Sequence, residues 1–349
     1  MARNLGFSNR LFHVQSDGDF SLRKLGLGII GLGQIGKVHL QNSLMLHNSE
    51  VVAVCDKSKK ALAVAKNAGI KKTFTDYSYL LSDPQVEAVV ISLPTFLHED
   101  CAVQAAEMKK HVFLEKPLAV GISEAKEILM ACNRNSVKLM VGYPLRFDSR
   151  FLDLKRKFDS GLLGDVEVAH AVNVSCGPFF ARQESSRPTF VPDWWFSRKL
   201  TGGGALMDLG SHMIDLLRWY FGEVSDARSL LRYRFHLDVE DSAICLLRFK
   251  SGTTAMVNVG WFSQEMTLKL ELFGTVKSQA SKSIDSNPLV TAVQNLVSGT
   301  SQFFLPHLAE LKYFVKCVLD DFQPHPSGLE GLKDIETILK AYEKRIEWS

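Results

Sequence analysis

The hydrophobic pattern changes period once along the chain, and that change divides it. Residues 24–30 (Lys-Leu-Gly-Leu-Gly-Ile-Ile) read as a buried strand, and helical spacing runs from Gln34 to about Leu46. Glu50–Cys55 is the next strand, with a helix predicted from Ser58. Asp76–Ser82 predicts a short helix. Val86–Leu93 is a near-continuous apolar run, as expected of a parallel strand covered on both faces, and Pro94 stops it. A helix to about Lys109, a strand at His111–Leu114, a helix over Ser123–Asn133 and a strand at Val137–Val141 follow. This alternation predicts an α/β fold with a doubly wound parallel (Rossmann) sheet over residues 24–145.

Beyond Arg146 the pattern lengthens and alternates. After a helix at Phe151–Phe158, strands are predicted at Val166–Val174, Arg228–His236, Ser242–Phe249, Thr253–Val259 and Leu268–Phe273. Period-two alternation is the mark of an antiparallel sheet with one solvated face. Helices at about Leu308–Asp321 and Gly328–Ile346 close the chain, so residues 146–349 read as a second α/β domain. Residues 1–23 hold no apolar stretch of signal-peptide length and read as an N-terminal extension.

Composition narrows the function. With 349 residues, 46% hydrophobic and 23% charged, two ordinary globular domains are expected. A net charge of +3 gives no reason to expect nucleic acid or a membrane surface as partner. The six cysteines are scattered without a C-x-x-C pair, which points to reduced thiols in a cytoplasmic protein and to no metal site.

Two stretches carry candidate chemistry. Gly31-Leu-Gly-Gln-Ile-Gly36 lies between a strand and a helix, where a G-x-G-x-x-G turn cradles a pyrophosphate at a helix N-terminus. Asp56, twenty residues after Gly36, is placed to accept from ribose hydroxyls and favours NAD; Lys57, Lys59 and Lys60 beside it keep NADP open. Ser92, Leu93, Pro94, Glu115 and Lys116 fall at carboxyl ends of sheet strands, where such folds bind ligands. In the second stretch, Gly202–Trp219, three glycines precede a helix on which Asp208, His212 and Asp215 share one face at i, i+4 and i+7. That face is either a solvated stripe or a general base with a carboxylate one turn earlier. The glycines favour the second reading, since they let backbone approach a ligand.

Together, Gly31–Gly36, Leu93-Pro-Thr with His98, Glu115-Lys-Pro117, Gly142-Tyr-Pro-Leu-Arg-Phe147, Gly202–His212 and Pro326–Gly331 resemble the glucose–fructose oxidoreductase and inositol dehydrogenase (Gfo/Idh/MocA) family over residues 24–346. The resemblance implies a large, open, mostly antiparallel C-terminal sheet that commonly forms a homodimer or homotetramer interface. It implies a catalytic set of Lys116, Asp208 and His212. The candidate cofactor set is Gly31, Gly33, Gln34, Ile35, Gly36, Asp56, Lys57, Ser92, Leu93, Pro94, His98, Glu115 and Lys116. Arg146, Trp195, Asp208 and His212 are the substrate candidates, with Trp194 and Phe196 able to stack on a sugar face.

The expected activity is NAD(P)-dependent hydride transfer from a secondary hydroxyl of a sugar or cyclic polyol. His212 serves as base, Lys116 polarises the oxygen, and Asp208 orients the imidazole or a neighbouring hydroxyl. NAD-assisted glycoside hydrolysis and a non-catalytic cofactor sensor are the alternatives. Arg182, Arg187 and Arg198 in the irregular segment 176–200 suit an anionic sugar derivative.

Overall fold

The computed structural model describes residues 23–179, 191–282 and 304–346. The expected N-terminal extension therefore lies almost wholly outside the described residues, as do Arg182 and Arg187.

The first sheet contains β1 (Leu25–Ile30), β2 (Ser49–Cys55), β3 (Lys72–Phe74), β4 (Ala88–Ile91), β5 (His111–Glu115) and β6 (Leu139–Gly142). Their order is 3-2-1-4-5-6 with every pairing parallel. The order reverses between β1 and β4, which opens a crevice at their carboxyl ends. A parallel sheet needs cover on both faces. On one face, α1 (Gln34–Met45) and α2 (Lys59–Asn67) pack through Leu40, Leu62 and Ala65. On the other lie α3 (Tyr77–Leu81), α4 (His98–Glu107) and α5 (Ile122–Arg134).

After α6 (Ser149–Asp159), the second sheet is built from β7 (Val166–Val174), β8 (Val224–Arg232), β9 (Ser242–Phe249), β10 (Thr254–Gly260), β11 (Thr267–Gly274) and β12 (Ser278–Ala280). Its order is 12-11-7-10-9-8, antiparallel except for the β7–β10 pair. A four-residue helix, α7 (Arg198–Thr201), precedes the long α8 (Ala205–Phe221), which covers the inner face. The outer face carries Val168, Ile244, Leu246 and Phe273, between 40% and 47% exposed.

The last two helices both reach back to the first sheet's domain. α9 (Phe304–Leu319) returns to the first sheet and buries Leu311, Phe314 and Val315 against α1, β5 and β6. α10 (Gly328–Glu343) places Leu332 and Ile335 in the first domain's core and Ile338, Ala341 and Tyr342 in the second's. A single cut at residue 145 thus misses a return of the chain, which the first sheet needs to complete its cover.

Candidate functional site

The glycine turn is shaped for a ligand at one position and for packing at two. Gly31 has φ +91, and a Cβ there would meet the Ser92 carbonyl at 2.6 Å. At Gly36 a Cβ would lie 2.0 Å from the Gly31 oxygen. Gly33 faces open space, and it caps α1 with no side chain bonded to the free N–H groups. Gln34 is exposed and Ile35 half-buried beside it. An anion can therefore approach the helix N-terminus without displacing protein. Asp56 stands at the end of β2, where it accepts from the Leu32 N–H at 2.6 Å and the Ser58 N–H at 2.7 Å. These bonds tie it to the glycine turn, and each oxygen retains acceptor capacity for a ribose hydroxyl. Lys57 is exposed.

Across the crevice, Leu93 and Pro94 are half-buried while Ser92 is almost closed off. Two candidates for cofactor contact are positioned differently from expectation. His98 is 1% exposed, with its nitrogens 3.0 Å from the Pro117 carbonyl and 2.9 Å from that of Leu93. Burial pushes the imidazole below its usual pKa against the pull of the two carbonyls, and the ring packs between the two strand-end loops. The Glu115 carboxylate points inward as well, 2.6 Å from His39 Nε2 and accepting from the Lys116 N–H at 3.2 Å. Both residues hold up the crevice wall rather than line it with side chains.

Lys116 reaches across to α8. Its Nζ donates to Asp208 Oδ1 at 2.7 Å and to the Asp208 carbonyl at 3.0 Å. Trp261, just after β10, donates its indole N–H to Asp208 Oδ2 at 3.3 Å. His212 stands one turn further along α8, edge-on to Tyr143 at 6.4 Å. Its Nδ1 is shut off from solvent and has no hydrogen-bond partner among the described residues. Asp208 thus orients the lysine and not the imidazole. Burial, Lys116 and His307 hold the His212 pKa well below the ordinary imidazole value. A neutral imidazole in this place can accept a proton, and an ammonium beside it can polarise an oxygen. The ring opens on a cavity of about 190 Å³ that Asn173, Ser175, Leu209 and His307 also line. Sequence reasoning passed over Trp261, Asn173, Ser175 and His307, because each is an isolated polar or aromatic residue at an element's end.

The rest of the α8 stripe separates. Asp215 is fully buried and accepts from Arg146 Nε and Nη2 at 2.6–3.1 Å. Arg146 is therefore spent on an internal ion pair and does not face the cavity, contrary to its expected place in the substrate site. Trp195 is half-buried behind Trp261, with ring centroids 6.3 Å apart, so it backs the indole that meets Asp208. Arg198 lies over the Tyr342 ring at 4.9 Å and likewise has a packing role. The glycine triplet serves packing too. A Cβ on Gly203 would stand 2.0 Å from the Tyr342 hydroxyl, and one on Gly204 would stand 1.9 Å from the Glu240 carbonyl. Buried Glu240 accepts from the Gly204 and Leu206 N–H groups at 2.9–3.1 Å and from Tyr342 Oη at 2.7 Å. It caps α8 from a distant loop, a task no local side chain performs.

A dinucleotide crevice opposite a lysine–aspartate pair and a histidine is the architecture of a two-domain nicotinamide-dependent oxidoreductase. The chain belongs to the GFO/IDH/MocA oxidoreductase family: residues 25–143 match its NAD-binding Rossmann fold and residues 151–278 its C-terminal domain. It is 28% identical over 325 residues to myo-inositol 2-dehydrogenase of Thermotoga maritima, covering 87% of this chain and 91% of that protein. It is 31% identical over 270 residues to the uncharacterized oxidoreductase YrbE of Bacillus subtilis, covering 74% of each. Scyllo-inositol dehydrogenase of Lactobacillus casei, solved with NAD(H) and scyllo-inositol, superposes with a TM-score of 0.76 at 22% identity, covering 93% of this chain and 97% of that one. No helix among the described residues is long and apolar enough to cross a membrane.

The Arg146–Asp215 pair sets a stability test. Asp215→Ala leaves a buried guanidinium unpaired and should cost about 3–5 kcal/mol, read from the urea unfolding midpoint. A loss within experimental error of zero would mean that Arg146 has another partner.

Proposed function

We propose that this protein oxidises a secondary hydroxyl of a cyclic polyol or sugar, with NAD as the hydride acceptor. The observation that carries the reading is the Lys116–Asp208 contact with His212 one turn on, opposite the glycine turn. NAD, when bound, supplies the carbon that takes the hydride. Lys116, held by Asp208, donates to the reacting oxygen and stabilises negative charge as it develops there. His212 takes the hydroxyl proton; its depressed pKa keeps it in the accepting form at neutral pH. Asn173 and Ser175 offer further hydrogen bonds to ring hydroxyls from the cavity wall. The inositol dehydrogenases among the relatives support a neutral polyol. Arg198 lies over Tyr342 and is not on the cavity wall, and the guanidinium that is, Arg150, is paired with Asp148.

Asp56 favours NAD over NADP, because its carboxylate repels a 2′-phosphate. The protein is proposed to act in the cytoplasm, in keeping with its six unpaired thiols. The exposed apolar row on the outer face of the second sheet is proposed to pair with a second copy, giving a homodimer or homotetramer.

A panel of inositols, hexoses, sugar acids and nucleotide sugars, followed by absorbance of reduced cofactor, tests the reaction. Turnover restricted to anionic substrates would overturn the polyol reading, and hydrolysis without reduced cofactor would point to a glycosidase. His212→Ala should lower kcat by roughly 10²–10⁴ while leaving cofactor affinity in place. Lys116→Ala should lower kcat too. It should also move the acid limb of the pH–rate profile upward, because removing the cation lets His212 protonate at higher pH. An unmoved limb would sever Lys116 from the base.

Calorimetric titration should give tighter binding of NAD than of NADP, with the gap narrowed by Asp56→Ala. The reverse preference would refute the role of Asp56. Leu246→Glu should shift the sedimentation coefficient toward the monomer without changing the circular dichroism spectrum; an unchanged oligomer would place the interface elsewhere.

A further inference from the structure

Behind the cavity lies a cluster that the reaction so far does not use. His39 on α1, Glu115 at the end of β5 and Glu310 on α9 are all buried, with ligating atoms within 4.8 Å of one another. His39 Nε2 and Glu115 Oε1 are 2.6 Å apart, while His39 Nδ1 and both Glu310 oxygens have no hydrogen-bond partner among the described residues. His307, one turn before Glu310, connects this cluster to the site. Its ring centroid is 6.0 Å from that of His39, and it lines the same cavity as His212. A cavity of about 190 Å³ with histidine, asparagine and serine on its wall has the room and the polar partners that bridging water requires.

We propose that His307 is a proton-transfer residue that carries the substrate's hydroxyl proton from His212 to His39, where the Glu115 carboxylate stabilises the imidazolium. This rests on the dehydrogenase reading above. The balance is simple. The substrate carbon gives its hydride to the nicotinamide, its hydroxyl proton goes to His212, and that proton moves through cavity water and His307 to His39 Nδ1. Once product leaves, it returns by the same path to His212 and passes to solvent through the open site, so His212 is neutral again for the next turnover.

The surroundings fit this direction. His212 gives up a proton readily, because burial, Lys116 and His307 all disfavour its charge. Glu115 keeps its charge: His39, His307 and Lys116 outweigh the burial that opposes it. Glu310 holds its proton, since burial, Glu115 and Asp215 each disfavour its ionisation. Asp215 is itself balanced by Arg146. A neutral Glu310 is essential to the store. An ionised Glu310 beside His39 and Glu115 would itself take the proton that His307 brings.

His307→Gln should lower kcat for oxidation about tenfold, raise the solvent deuterium isotope effect and respond to added imidazole, with NAD affinity unchanged. An unaltered rate and isotope effect would overturn the path. Infrared pH-difference spectra of the cofactor-free protein form a second arm, which needs no substrate and so fails independently of the polyol reading. Protonated-carboxyl absorption is expected at neutral pH; burial pushes Asp334 up to about 8, so the Glu310 part is the component lost in Glu310→Gln. If no component is lost, Glu310 is ionised and the store is refuted. One equivalent of divalent cation in the purified protein, lost in Glu310→Gln, would refute it as well. Should Glu310→Gln fail to fold, the His307→Gln kinetics still decide.

Discussion

The contact between Lys116 and Asp208 ties the two halves of the molecule into one site. Lys116 ends a strand of the parallel sheet, and Asp208 sits in the first turn of the helix that covers the other sheet. The ammonium meets both the carboxylate and the carbonyl of Asp208, and the Trp261 indole holds the second carboxylate oxygen. A carboxylate in a helix's first turn is already favoured by the helix dipole. A partly exposed pair of this kind contributes little to stability. Its effect is positional: it fixes a cation a turn away from a neutral imidazole. The surrounding structure serves that placement. Glu240 caps α8 from across the fold, and α10 spans both cores.

Much of the frame was legible because it rests on local period. The boundaries of β7 and β9 fall where alternation placed them. The strand expected at Arg228–His236 lies four residues earlier, at Val224–Arg232, because Asp241 draws the Phe235 N–H into a turn. β3 and β12, three residues each, are too short to show a period at all. The return of α9 to the first sheet was illegible for another reason. An amphipathic helix announces that it has a partner, but not which one.

The site shows a different limit. Spacing placed Asp208, His212 and Asp215 on one face of α8, yet their environments divide them. Asp208 is about one-fifth exposed and meets a lysine from the other domain. Asp215, fully buried, meets Arg146 in a two-pronged bond. Arg146 could be placed near the site from the sequence but not aimed, since aim depends on a partner 69 residues away. The glycine triplet gives the same lesson with the opposite sign. Its glycines permit close approach, as expected, but what approaches is Tyr342 and Glu240. Glycine reports a steric demand, and the sequence does not say whether protein or ligand makes it.

Electrostatics then explains why a histidine rather than an acid stands beside Lys116. A carboxylate at position 212 would be drawn into the Lys116 pair and held ionised by it, leaving a weak base. An imidazole is disfavoured in its charged form by burial and by the same lysine, so the cation beside it also helps to keep it unprotonated. Asp208 moderates that repulsion by neutralising part of the lysine's charge and by fixing its direction. With Asp208 gone, Lys116 would be free to turn toward Glu115, whose ionised carboxylate lies at the end of the same strand. One aspartate thus sets the aim of the lysine, and burial, that lysine and His307 together hold the histidine neutral.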